Sequence, residues 1–163
     1  YVLADGDVLS IDFAAQLQGW VADSALTFQI GTQDPAVTRL IETTERALDA
    51  GIKAARAGAR MGDISSAIGT IGRAGGYGIN ADFGGHGVGR TIHEEPSVPN
   101  EYHARQKDVL TDGLVVTIEP LISAGSGEPI EDGDGWTIRT RDGSLAAHHE
   151  HTIMVTRGAP LPS

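Results

Sequence analysis

The segment Val8–Ile30, VLSIDFAAQLQGWVADSALTFQI, contains two strand-like runs about a Gln18-Gly19 turn. Val8, Ile11, Phe13 and Leu17 are apolar with Asp12 among them, the pattern of a mostly buried strand. Trp20–Ile30 reads as its hairpin partner. Gly31 to Pro35 breaks the chain, and the period then changes. Val37, Leu40, Ile41, Thr44, Leu48, Ile52 and Ala55 recur at helical spacing, with Pro35 suited to a first turn and Gly58 to the stop. A shorter helix opens at Gly62-Asp63, carries Ile64, Ala67, Ile68 and Ile71 on one stripe, and closes at Gly75-Gly76. Beyond it lie strands and loops. Gly84–Arg90 is a Gly-rich run around His86, Leu114–Ile118 a short strand, and Glu128–Gly135 an acidic, Gly-rich loop. Trp136–Arg141 and His149–Thr156 read as two strands joined through Asp142-Gly143. The order predicts an α+β fold, with helices packed on one face of an antiparallel-rich sheet.

The chain has 163 residues, no Cys, 22 Gly and a formal net charge of −10. One domain over residues 1–163 fits that length. The acidic balance argues against a nucleic-acid partner and against an anionic membrane surface. No apolar run is long enough to span a bilayer. Without Cys there is no disulfide, thiol nucleophile or Cys-type zinc site, so a metal would need His and carboxylates. The chain starts at Tyr1 rather than Met, from which we expect a natural start elsewhere.

Several polar residues stand where strands should be apolar. Asp12 interrupts the first strand, and Asp23 lies on the opposing one. The hairpin should bring these carboxylates together, where they repel unless one is protonated or a cation lies between them. Glu119 ends the run VVTIEP, and Glu150 sits in HHEHTIMV. Buried carboxylates are costly unless paired or metal-bound. His86 lies in GGHGVG, and His93 begins HEEP. Four carboxylates with an imidazole suit Mn²⁺, Fe²⁺, Co²⁺ or Zn²⁺, and they exceed what one catalytic ion needs, so two ions would use them all. Each position alone has an ordinary reading. Asp12 could pair with Arg, Asp23 could be a turn residue, His86 a loop residue and Glu119 a surface strand end. His148, His149 and His151 with Glu150 could be a solvated edge, and Trp136 could be core. Needed together, the five positions make coincidence a poorer account.

The stretches DGDVLSIDF, ADSALTF, FGGHGVGRTIHEEP, VVTIEP, DGDGWT and HEHTIMV run from Asp5 to Val155. In content and order they resemble a type I, bacterial-type methionine aminopeptidase of the pita-bread (creatinase/aminopeptidase) fold. Glu119 follows His86 by 33 residues and Glu150 follows Glu119 by 31, spacings that look like the type I class. The resemblance implies two divalent ions (Co, Mn, Fe or Zn) held by Asp12, Asp23, His86, Glu119 and Glu150, with Asp23 and Glu150 bridging. It implies Glu119 as general base and proton shuttle, acting with a bridging hydroxide. His93 would be a catalytic, substrate-contacting histidine, and Trp136 and Ile92 would border the methionine pocket. The implied activity is excision of N-terminal methionine from peptides and nascent chains, in a cytoplasmic, ribosome-proximal setting, by a monomer when complete.

The chain departs from the family at its start. Members carry a further N-terminal segment that supplies the first pseudo-symmetric half, another active-site histidine and much of the methionine pocket. Position 92 is Ile where many members have Phe or Met. We therefore expect an N-terminally incomplete catalytic domain with exposed apolar surface and poor stability alone. Other readings are an Xaa-Pro aminopeptidase or prolidase, a non-catalytic pita-bread module binding a peptide or partner, and a metal-free acidic domain.

Overall fold

A computed structural model describes residues 1–162. The opening hairpin pairs β1 (Val8–Leu17) with β2 (Trp20–Gln29) in unbroken antiparallel register, from Val8 opposite Gln29 to Leu17 opposite Trp20. Gln18 and Gly19 turn the chain with φ of 53° and 78°, the left-handed pair that matches strand twist in a two-residue hairpin. Asp12 opposes Ala25 and Ala14 opposes Asp23, so both aspartates share one face. Ile11, Phe13, Leu17, Trp20 and Leu26 share the other.

Helix α1 (Pro35–Ala54) begins with Pro35 in its first turn, and the Asp34 carboxylate accepts the Ala36 N–H at 2.7 Å. This satisfies a donor the helix itself cannot. Val37, Leu40, Thr44, Ala47 and Leu48 are buried along one stripe. The helix ends at Ala54 rather than running to Gly58, because Ala55 N–H turns back to Ile52 O at 3.0 Å. Helix α2 (Met61–Ala74) follows, and its Asp63 carboxylate accepts the Arg60 N–H.

The later strands are β3 (Gly78–Ile79), β4 (Gly84–Gly87), β5 (Glu94–Pro99), β6 (Val115–Ile118), β7 (Leu121–Ser123), β8 (Pro129–Glu131), β9 (Ile138–Thr140), β10 (Ala146–His148), β11 (Glu150–Met154) and β12 (Leu161–Pro162). Among the described residues the main sheet runs β1-β2-β11-β6-β4-β5, with β12 beside β11. Strands β10-β7-β3 form a second sheet and β8-β9 a ribbon. The core lies between helices and sheet, built from Leu40, Leu48, Ile64, Ile68, Val116, Ile118, Ile122 and Ile153. The expected α+β arrangement is the one observed. No helix among the described residues is long and apolar enough to cross a membrane.

Four expectations need correction. Strand β1 is not mostly buried: Ile11, Phe13 and Leu17 are exposed, because β1 is an edge strand and the face they share carries no covering element among the described residues. The segment 128–135 is not all loop, since it contributes β8. The strand expected at 136–141 narrows to β9, pairs with β8, and does not pair with the last long strand. Instead β11 joins β2 to β6. Strand β5 (Glu94–Pro99) is not among the strands expected from the sequence.

Gly85 lies where β4 is squeezed between β5 and β6. A Cβ there would strike the Thr117 carbonyl oxygen, which is backbone and cannot swing away. Gly85→Ala should destabilise the chain by about 1–3 kcal/mol through overpacking, and Ile118→Ala by about 2–5 kcal/mol through cavity formation. Urea midpoints measure both. A Gly85→Ala chain as stable as the parent would show that β4 has room to move.

Candidate metal centre

One cleft of about 310 Å³ is lined by Asp12, Asp23, His86, His93, Glu119 and Glu150, together with Phe83, Glu94, Glu95, Ser97 and backbone at Gly84 and Gly85. The polar residues singled out on separate strands thus meet at one place. Asp12 comes from β1 and Asp23 from β2. His86 comes from β4, Glu119 from the residue after β6, and Glu150 from the first residue of β11.

Local hydrogen bonds set these side chains. The His86 N–H donates to Thr117 Oγ1 at 3.1 Å, and Thr117 Oγ1 donates to Glu119 Oε1 at 3.0 Å. His86 Nδ1 lies 3.0 Å from the Gly87 carbonyl oxygen. A carbonyl only accepts, so this contact puts the proton on Nδ1 and leaves Nε2 with its lone pair. That Nε2 stands 3.4 Å from Glu119 Oε1. Asn100 Nδ2 donates to the Glu119 carbonyl at 3.0 Å and holds the backbone.

His93 closes the loop between β4 and β5 and meets the His86 ring edge-on, with centroids 4.5 Å apart. The Glu94 carboxylate accepts N–H bonds from Arg90 and Thr91. The Thr91 backbone bond is the main reason its pKa lies below the usual carboxylate range. Arg90 reaches back to the hairpin, stacking on Trp20 at 3.7 Å and donating to the Gly19 carbonyl at 3.1 Å. Glu94 is therefore an anchor for the loop that presents His93.

Trp136 and Ile92 do not line this cleft. Trp136 is 87% exposed, on the turn between β8 and β9. Ile92 is exposed on the β4–β5 loop. Conversely, His148 is not part of a solvated edge: its side chain is 15% exposed, as is that of Glu119, and their closest atoms are 3.6 Å apart. A period-two reading of His148 and Glu150 would have put both on one face. A second cleft, lined by Asp12, Phe83, Glu119, Leu121, Ile138 and His148, opens beside the first.

Electrostatics single out Glu150. It is buried, and its pKa is raised from 4.5 to about 9, by burial first and then by Glu119, Asp23 and Asp12. Asp12 is also raised, mainly by burial, with His148 opposing. Glu150 Oε1 is buried without a hydrogen-bond partner.

A model of metallopeptidase family M24 matches residues 1–157. The chain belongs to metallopeptidase family M24. The methionine aminopeptidase of Aquifex aeolicus (strain VF5) is 44% identical over 162 residues, which cover 98% of this chain and 63% of that protein. The crystal structure of methionine aminopeptidase from Rickettsia prowazekii superposes with a TM-score of 0.94 at 38% identity, over 98% of this chain and 65% of that one. The chain thus spans less than two thirds of the length of either. The prolidase from Pyrococcus furiosus shares the fold alone, with a TM-score of 0.75 at 24% identity over 97% of this chain and 41% of that one. The pita-bread arrangement expected from the motifs is the one this M24 chain adopts.

An M24 chain is expected to carry divalent metal, and the cleft fits it. Asp23, His86 and Glu150 present donor atoms within 4.8 Å of one another, and so do Glu119, His148 and Glu150. The orphaned Glu150 Oε1 lies where a cation would satisfy it.

In the metal-free chain Glu150 keeps its proton when folded and loses it when unfolded, between pH 4.5 and about 9. Its contribution is therefore fully present below pH 4.5 and is lost as pH rises towards 9, at ~1.4 kcal/mol per pH unit for one proton. Glu150→Gln stays neutral and removes that slope. Urea midpoints of the metal-free proteins should coincide near pH 4.5 and diverge in favour of the variant towards pH 9. Parallel curves would refute the assignment.

Proposed function

We propose that this chain takes part in removing N-terminal methionine from peptides and nascent proteins, with residues 1–163 as a single, partial pita-bread catalytic domain. The observation that carries the reading is the pair of three-residue donor groups that share Glu150 in a cleft beside His93. Likeness to methionine aminopeptidases supports the substrate class.

In this reading Asp12, Asp23, His86, Glu119 and Glu150 would hold two divalent ions (Co, Mn, Fe or Zn). When bound, such ions polarise the scissile carbonyl and make water a nucleophile near neutral pH. The protein's own groups do the rest. Glu119, its carboxylate oriented by Thr117, takes a proton from the attacking water and passes it to the leaving amine. His93 donates to the peptide oxygen as negative charge develops. The acidic end of the cleft, where the Asp12 side chain is 56% exposed, attracts the substrate's free α-amine. Holding that amine sets which carbonyl is attacked, so one residue leaves at a time. Trp136 and Ile92, which lie outside the cleft here, would border the methionine side chain only through contacts beyond the described arrangement. The setting is cytoplasmic and near the ribosome, and the working unit is a monomer.

The test is release of free methionine from Met-Ala-Ser by chain loaded with Mn²⁺ or Co²⁺. Glu119→Ala should lower kcat by ~10²–10⁴-fold and His93→Ala by ~10²–10³-fold, and metal-free protein should be inactive. Cleavage of Xaa-Pro peptides with none of Met-Ala-Ser would favour an Xaa-Pro aminopeptidase. Tight metal binding with no turnover of either would favour a binding module.

A further inference from the structure

The neighbouring cleft, which shares Asp12 and Glu119 with the first, holds an imidazole that the mechanism above does not use. His148 ends β10, two residues before Glu150, and its backbone is fixed. Its N–H donates to Thr27 Oγ1 at 2.8 Å, and its carbonyl accepts from that hydroxyl at 2.7 Å. Its Nε2 stands 3.6 Å from Glu119 Oε2, and its Nδ1 stands 3.9 Å from Asp12 Oδ2. Neither gap is a hydrogen bond. The other oxygen of Glu119 faces His86 Nε2 at 3.4 Å. Each oxygen of one carboxylate thus faces a different imidazole nitrogen.

The Nε2–Glu119 gaps of 3.4 Å for His86 and 3.6 Å for His148 are close to those of two donors on a common ion. With metal–ligand bonds of ~2.0–2.2 Å, neighbouring donors sit ~3–3.5 Å apart. The two donor groups also divide the imidazoles: His86 joins Asp23 and Glu150, whereas His148 joins Glu119 and Glu150. We propose that His148 is a further nitrogen ligand of this centre, a second imidazole beside His86 that joins through Glu119 and Glu150. The assignment rests on the reading of the cleft as a two-ion centre and adds a ligand to it. A second nitrogen donor shifts preference from Mn²⁺ towards Co²⁺ and Zn²⁺.

The experiment uses the full chain titrated with Co²⁺, Zn²⁺ and Mn²⁺ by calorimetry, and proton NMR of the Co²⁺ form. Each cobalt-bound imidazole with a protonated far nitrogen gives one strongly shifted, solvent-exchangeable N–H signal. Two such signals are expected in the parent and one in His148→Ala. The weaker Co²⁺ and Zn²⁺ affinity should fall at least about tenfold in that variant, and Mn²⁺ affinity should fall less. His148→Gln serves where the alanine variant does not fold, and the parent signal count needs no variant. Two ions bound with a single N–H signal and affinities unchanged within twofold would overturn the His148 assignment and leave the two-ion reading intact. A parent chain that binds no ion would overturn both.

Discussion

Glu150 is a carboxylate placed where water does not reach, on the strand that joins the two parts of the main sheet. Strand β11 pairs on one side with β2 of the aspartate-bearing hairpin and on the other with β6, which leads to Glu119. Any fold with this topology brings Asp23, Glu119 and Glu150 to the same face. Three carboxylates at that spacing cannot all be ionised at low cost. A proton on Glu150 is the solution open to the metal-free chain, and a divalent cation between the carboxylates would be another. The energetics of the core and the chemistry of the site therefore meet in one residue.

The parts of the fold that were legible are those where local pattern and tertiary context agree. The hairpin announced itself through Gln18-Gly19 and strand-like runs on both sides, and α1 through its Pro35 start and apolar stripe. The polar residues were legible for the opposite reason. Asp12, Glu119 and Glu150 violate the pattern of their strands, and such violations are expected where function overrides packing. The burial of β1 was misjudged, because apolar content says that Ile11 and Phe13 favour cover but not whether an element is present to cover them. Strand β5 was hidden by its prolines, which an antiparallel edge strand tolerates. The β8-β9 ribbon was hidden by acidic residues that turn out to cap and pair locally: Asp134 accepts from Trp136 and Thr137, and Asp132 pairs with Arg139.

His148 shows a different limit. Three histidines and a glutamate crowd the stretch from His148 to His151, and composition there suggests a wet surface. Direction is what composition lacks. Glu150 lines the first cleft and His148 the one beside it, both turned towards Glu119, whereas His149 is buried with its pKa lowered, chiefly by desolvation. Residues one apart on extended backbone face opposite sides, so a dense polar run can still deliver only alternate members to a site.

Exposure within the site is graded: Asp12 is more than half exposed, Glu119 and His148 are nearly covered, and Glu150 is inaccessible. The same gradient separates roles among chemically similar groups. In the proposed reading the carboxylate nearest solvent would meet an incoming α-amine first. Glu119, between Asp12 and Glu150 in exposure and bonded through Thr117 to the backbone of His86, is held in a fixed direction, which suits the proton transfer proposed for it.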